Sequence, residues 1–88
     1  MEIEHGVTVK ILFFAKSKEL AGTREARITI PEKITYQQLL NIIAKNYNLE
    51  TIKDHILLAK NEEVCSDNRE LVIREFDNIA VIPPLSGG

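Results

Sequence analysis

Tryptophan is absent, cysteine occurs once, and glycine and proline number only four and three among 88 residues. The lone cysteine, Cys65, excludes an intramolecular disulfide, so nothing ties the chain to an oxidising compartment and a reducing cytosol is expected. So few glycines and prolines leave no low-complexity tract and no linker with a shifted composition, which argues for one domain. Charge of one sign is missing too: 11 basic and 13 acidic side chains are interspersed and give a net charge of −2. Without a basic stripe to follow a phosphate backbone, nucleic-acid binding is not expected. The opening Met1-Glu2-Ile3-Glu4-His5-Gly6 has acidic residues and no apolar run fit for a signal sequence or a membrane span. The chain is therefore expected to be unprocessed at that end and to stay off membranes. His5, His55 and the carboxylates show no metal-ligand spacing, and neither a Gly-rich phosphate loop nor a Ser/His/Asp signature is present. No metal site is expected, and any nucleotide should belong to a partner.

What is present is the composition of an ordinary folded domain, 44% hydrophobic and 27% charged. A chain of this size hides about 60–65% of its unfolded surface, enough for one core and too little for a deep enclosed active site. From Val7 to Phe14, Val7, Val9, Ile11 and Phe13 fall on one face and Thr8, Lys10, Leu12 and Phe14 on the other, the period of a strand. Both faces turn apolar toward its end, as in a central strand. Arg24 to Ile30 alternates more cleanly, with Ala26, Ile28 and Ile30 inward, and reads as a half-exposed strand closed by Pro31. Between them Ala15 to Ala21 has room for a short helical turn, which Gly22 can end because it tolerates positive φ.

Thr35 offers a hydroxyl N-cap with Gln38 three residues on, flanked by Ile34 and Leu39 as a hydrophobic staple. Tyr36, Leu40, Ile43 and Tyr47 then form one apolar stripe of a helix ending near Asn46 to Asn48. Ile56 to Ala59, Leu71 to Ile73 and Ile79 to Ile82 are short apolar runs separated by polar segments and read as three further strands. The order β-β-α-β-β-β gives an α+β domain, a mixed sheet of about five strands with one main helix packed on one face. That layout matches the β-grasp architecture, with Ile79 to Ile82, apolar on both faces, near the middle of the sheet. One domain spans 1–88, with 1–6 a mobile N-terminal lead and 83–88 an extended tail.

The tail holds the chemistry. Pro83-Pro84 fixes two φ angles near −65° and removes two backbone donors, so the ladder must stop and the chain starts out extended. From Pro83 to Gly88 it reaches at most ~20 Å, enough to cross a partner's surface into an enclosed site. Ser86, Gly87 and Gly88 present little bulk and can thread a narrow passage, where the terminal carboxylate can approach backbone or phosphate closely. Leu85, an apolar residue on such a tail, is best explained as an anchor in a partner's pocket, with Pro84 and Pro83 beside it. The terminal carboxyl, with a pKa of about 3.3–3.7, is ionised at neutral pH and can attack the α-phosphate of ATP without a side-chain base. The acyl-adenylate is a mixed anhydride that a persulfide sulfur can attack to leave a thiocarboxylate. A frayed Gly-Gly end arises by chance roughly once in 200 chains. One placed directly after a core strand, stiffened by Pro-Pro and carrying an apolar residue, is far rarer.

The ending Ile79-Ala80-Val81-Ile82-Pro83-Pro84-Leu85-Ser86-Gly87-Gly88 closely resembles that of the small subunits of molybdopterin synthase. Val9 to Glu19, with Phe14-Ala15-Lys16, Glu19 and Gly22, looks like that family's first strand and turn. The resemblance implies a ubiquitin-like β-grasp sulfur carrier that is not catalytic alone and binds no cofactor itself. A ubiquitin-activating-like adenylyl- and sulfurtransferase would use ATP with Mg to adenylate Gly88 and load sulfur there as a thiocarboxylate. The tail would then enter the large synthase subunit, in a heterotetramer of two small and two large subunits, and donate sulfur to cyclic pyranopterin monophosphate to form the dithiolene. One departure stands out: the turn before the last strand, usually Gly-Asp-Glu in that family, reads Phe76-Asp77-Asn78.

Three other readings share parts of this pattern. A ubiquitin-like modifier would join Gly88 to lysines of target proteins by the same activation. A sulfur carrier for thiamine or for tRNA thiolation shares the fold and the Gly-Gly end, but Pro-Pro-Leu-Ser argues against it. A plain interaction domain would lose nothing on deletion of Gly88. Cys65 stands alone in a polar stretch and is expected to be a passive thiol rather than a sulfur relay. Tyr36, Tyr47 and the helix leucines are expected to be core.

Overall fold

The alternation of Val7 to Phe13 becomes the first strand, β1 (Gly6–Phe13), whose Val9, Ile11 and Phe13 are buried while Lys10 and Leu12 face the other way. This computed structural model describes residues 6–65 and 70–83. Gly6, expected in the N-terminal lead, already pairs with Pro31. A short helix α1 (Ala15–Ala21) follows, closed by Gly22 at φ 77°. This is the left-handed exit that glycine allows at no steric cost. β2 (Glu25–Pro31) returns antiparallel to β1, and the short strand β3 (Lys33–Thr35) comes directly after it.

The helix signal at Thr35 is met in detail. In α2 (Tyr36–Asn46) the Thr35 hydroxyl accepts the Gln38 N–H at 3.1 Å and the Gln38 side chain accepts the Thr35 N–H at 3.0 Å. Two otherwise orphaned donors are thereby satisfied, worth about 1 kcal/mol for the cap alone. Leu39, Leu40, Ile43 and Ala44 are buried against the sheet. Tyr47 packs its ring 5.0 Å from that of Phe13, tilted by 56°. A 3-10 helix (Glu50–His55) leads to β4 (Leu57–Lys60), which turns back at Asn61-Glu62 into β5 (Glu63–Val64). The last two strands are β6 (Glu70–Val72) and β7 (Asn78–Ile82).

The main sheet has five strands in the order β2-β1-β7-β4-β5, with β1 and β7 parallel and the remaining pairs antiparallel. β7 is central, as its two apolar faces require. Two details differ from the sequence expectation. The fifth strand of this sheet is Glu63–Val64, which begins at the end of the polar separator Asn61 to Glu63 and was not expected as a strand. The run at Leu71 instead belongs to β6, which pairs with β3 in a separate two-stranded sheet. The staple residue Ile34 is thus also a buried strand residue, opposite Leu71. Among the described residues, no helix is long and apolar enough to cross a membrane.

Candidate functional site

Pro83 is the last described residue before the chain end and is half-buried. Pro84, Leu85, Ser86, Gly87 and Gly88, singled out for anchoring, threading and chemistry, lie outside the described residues. The structure gives the platform that launches them. Val81 is opposite Phe13 on one side and Leu58 on the other, and Ile82 is opposite Leu57. Ladders on both flanks therefore fix where, and in which direction, the chain leaves the sheet.

A third tether comes from Ser17, the only buried polar residue among those described, with no solvent exposure. Its hydroxyl accepts the Phe14 N–H at 3.0 Å. Its single proton lies between the carbonyl oxygens of Phe14 at 2.7 Å and Val81 at 3.3 Å. Helix α1 is thereby bound to the residue two places before Pro83. No sequence signal marks Ser17, because a serine in a short helix is ordinary and only the tertiary approach of Val81 gives it a role.

The face of the sheet opposite α2 is divided in two. One rung across the strands reads Glu25, Leu12, Ala80, Ala59, Val64, and the next toward the tail pairs Ile82 with Leu57. Leu12, Phe14, Val64, Ala80 and Ile82 line one cleft here. Phe14 and Leu57 are each 49% exposed and Val64 57%. Several large apolar side chains are thus left together on one exposed face of the sheet, the kind of patch that a partner can cover. The sequence did carry this signal, in the apolar outer faces of β1 and β7, but central position in the sheet accounts for the same pattern.

Farther from the tail the rung Arg27, Lys10, Asn78 is polar. Beside it Asp77 accepts hydrogen bonds from the Asn61 amide at 2.9 Å and the Arg74 N–H at 2.8 Å. Burial works against the Asp77 carboxylate, but these two donors and the charges of Lys60 and Arg74 outweigh it and hold its pKa below the ordinary value. Cys65 is buried, and burial pushes its thiol up despite Lys60 nearby. It stays protonated at neutral pH, and a protonated thiol is a poor nucleophile. Among the described residues, no three His, Cys, Asp or Glu stand together as a metal would need.

Compared with known proteins, the chain matches the ThiS family over residues 11–88. It is 47% identical over 85 residues to the molybdopterin synthase sulfur carrier subunit of Anopheles gambiae, covering 93% of each chain. Among solved structures, small archaeal modifier protein 1 of Methanosarcina acetivorans superposes with a TM-score of 0.73 at 24% identity, over 96% of this chain and 99% of that one. A chain from the complex of subunits 1 and 2 of molybdopterin-converting factor of Helicobacter pylori gives 0.67 at 18% identity, over 93% and 100%. At such identities these two likenesses speak for the fold, which is the ubiquitin-like β-grasp.

Proposed function

Because this chain belongs to the ThiS family, we propose that it is the sulfur carrier subunit of molybdopterin synthase and that its working group is the carboxylate of Gly88. The observation that carries the reading is the placement of β7: a central strand, flanked on both sides and beside an open apolar face, runs directly into Pro-Pro-Leu-Ser-Gly-Gly. Curated relatives of near-equal length bear the same role in their names.

In this reading the Gly88 carboxylate attacks the α-phosphate of ATP, held with Mg by a ubiquitin-activating-like enzyme, and pyrophosphate leaves. The terminal sulfur of a persulfide attacks the acyl carbon and AMP leaves. A second thiol cleaves the acyl disulfide to free the thiocarboxylate. The tail then moves to the large subunit, with Leu85 seated in a pocket and Ser86 and Gly87 threading the approach. There sulfur passes to cyclic pyranopterin monophosphate. Two deliveries complete one dithiolene, and a heterotetramer of two small and two large subunits would house two such sites. A single reduced cysteine supports a cytosolic setting.

The test is intact-mass analysis after incubation with the activating enzyme, Mg-ATP and a persulfide source. The expected result is replacement of one oxygen by one sulfur, confined to the C-terminal peptide, followed by its loss on mixing with large subunit and pyranopterin substrate. Sulfur transfer at full rate by protein bearing an uncleaved C-terminal tag would refute the assignment of Gly88.

A further inference from the structure

The turn entering β7 holds out a phenylalanine that the fold neither needs nor shields. Phe76 is 89% exposed and its φ is +71°, in the left-handed region that glycine enters freely and a bulky side chain resists. The turn cannot relax around it. Asp77 accepts the Arg74 N–H at 2.8 Å and the Asn61 amide at 2.9 Å. The Asn78 N–H donates to the Asn61 side chain at 2.9 Å, and the Lys10 N–H donates to the Asp77 carbonyl at 3.2 Å. Four hydrogen bonds thus clamp a conformation that the exposed Phe76 side chain disfavours. Strain held in place this firmly is a feature of binding surfaces and switches.

The ring borders a cleft lined by Thr8, Lys10, Arg27, Glu75 and Asn78. Two cations face one carboxylate there, and among the described residues neither Lys10 nor Arg27 enters an ion pair. This cleft lies on the outer face, one rung beyond the apolar cleft that includes Leu12 and Ala80. Phe76 precedes Ile82 by six residues, so the two are at most ~20 Å apart along the strand. A standard interface covers about 800 Å² on each partner, a disc ~30 Å across. A protein seated on the apolar rungs therefore reaches Phe76.

We propose that Phe76 is a second anchor for the large subunit, at the end of the sheet remote from the tail. Its ring enters an apolar socket on that subunit, and Lys10 and Arg27 face carboxylates on the socket's rim. The proposal rests on the sulfur-carrier reading above and extends it to a specificity contact that the tail does not supply.

Phe76→Gly separates this role from a structural one, because it relieves the left-handed backbone and removes the anchor together. Full-length wild type and variant are compared by urea denaturation and by calorimetric titration with the large subunit. The expected result is a higher urea midpoint with affinity weakened about tenfold or more, the loss expected when an aromatic anchor is taken out of its socket. Unchanged affinity at an equal or higher midpoint overturns the proposal while leaving the sulfur-carrier reading intact. Wild type that does not bind the large subunit at all overturns both. If Phe76→Gly loses stability and affinity together, Arg27→Glu decides: slower association at low salt, converging on wild type at high salt, supports the anchor, and an unchanged rate refutes it.

Discussion

Ser17→Ala removes one oxygen atom from a site with no solvent exposure and leaves the methyl-sized remainder in place, so its cost is almost wholly that of hydrogen bonding. The Phe14 N–H loses its acceptor at 3.0 Å and the Val81 carbonyl loses a donor at 3.3 Å. The Phe14 carbonyl keeps the Ser17 N–H at 3.1 Å. Leaving buried polar groups unpaired costs about 1–3 kcal/mol. Alanine returns up to about 0.5 kcal/mol through its better helix propensity. The expected net loss is therefore about 1–2 kcal/mol. For a domain of this size that lowers Tm by roughly 5–15 °C, and with an m-value near 1 kcal/mol/M it lowers the urea midpoint by about 1–2 M. Far-UV circular dichroism across a urea series measures it directly. A change below ~0.5 kcal/mol, the range of an ordinary surface substitution, would refute the claim that this hydroxyl ties α1 to the end of β7.

Gly87→Val adds a branched side chain and forbids positive φ, so the domain should keep its urea midpoint while single-turnover thiocarboxylate formation and sulfur transfer both slow, by about a hundredfold for ~1 Å of misplacement; near wild-type rates at saturating partner would show the glycine to be incidental. Val64→Asp, at a 57% exposed position on the short strand β5, should leave stability within ~0.5 kcal/mol but weaken binding of the large subunit by several kcal/mol through a buried unpaired charge; equal affinity by calorimetry would remove the outer face from the interface. Asp77 has its folded-state pKa lowered, so its contribution is present above the ordinary carboxylate pKa of about 3.9 and lost as pH falls through the lowered value. Asp77→Asn should accordingly be less stable than wild type at neutral pH, with the gap closing in acid; a gap independent of pH would contradict this.

Periodicity in the sequence placed β1, β2, α2 and β7, since each carries enough apolar residues at one spacing to override its neighbours. The Thr35 and Gln38 capping box appeared atom for atom. What escaped had too few residues to show a period. β3 is three residues long and is held by pairing with the distant β6; the run at Leu71 in β6 was read as a strand, but its place in a separate two-stranded sheet was not. β5 is two residues, entered by Asn61 at φ 49° and Glu62 at φ 75°. Asparagine is a known signal for such a two-residue turn, but glutamate in the left-handed region is not. The 3-10 helix offers only Ile52 to the core. Of the site, the tail was legible because chain-end chemistry needs no tertiary contact, whereas Ser17 and the apolar rungs exist as features only once β1, β4 and β7 are side by side.

The two faces of β7 separate folding from assembly. Inward, Ile79 and Val81 are fully buried and hold the core. Outward, β1 and β7 carry Lys10 and Asn78 one rung away, so central position permits apolar residues at Leu12, Leu57, Val64 and Ile82 without demanding all of them. A partner that covers them explains their presence. Docking on a rigid face also fixes the origin and heading of the tail before any chemistry, since Val81 is held by two strands and by Ser17. Only the residues after Pro83 then remain to be positioned in a partner's active site, and their tethered end is already at high effective concentration there. Substitutions on the face should therefore change affinity and leave the rate at saturating partner untouched. Substitutions at Gly87 or Gly88 should do the reverse, because positioning of the carboxylate is the one task the platform cannot perform.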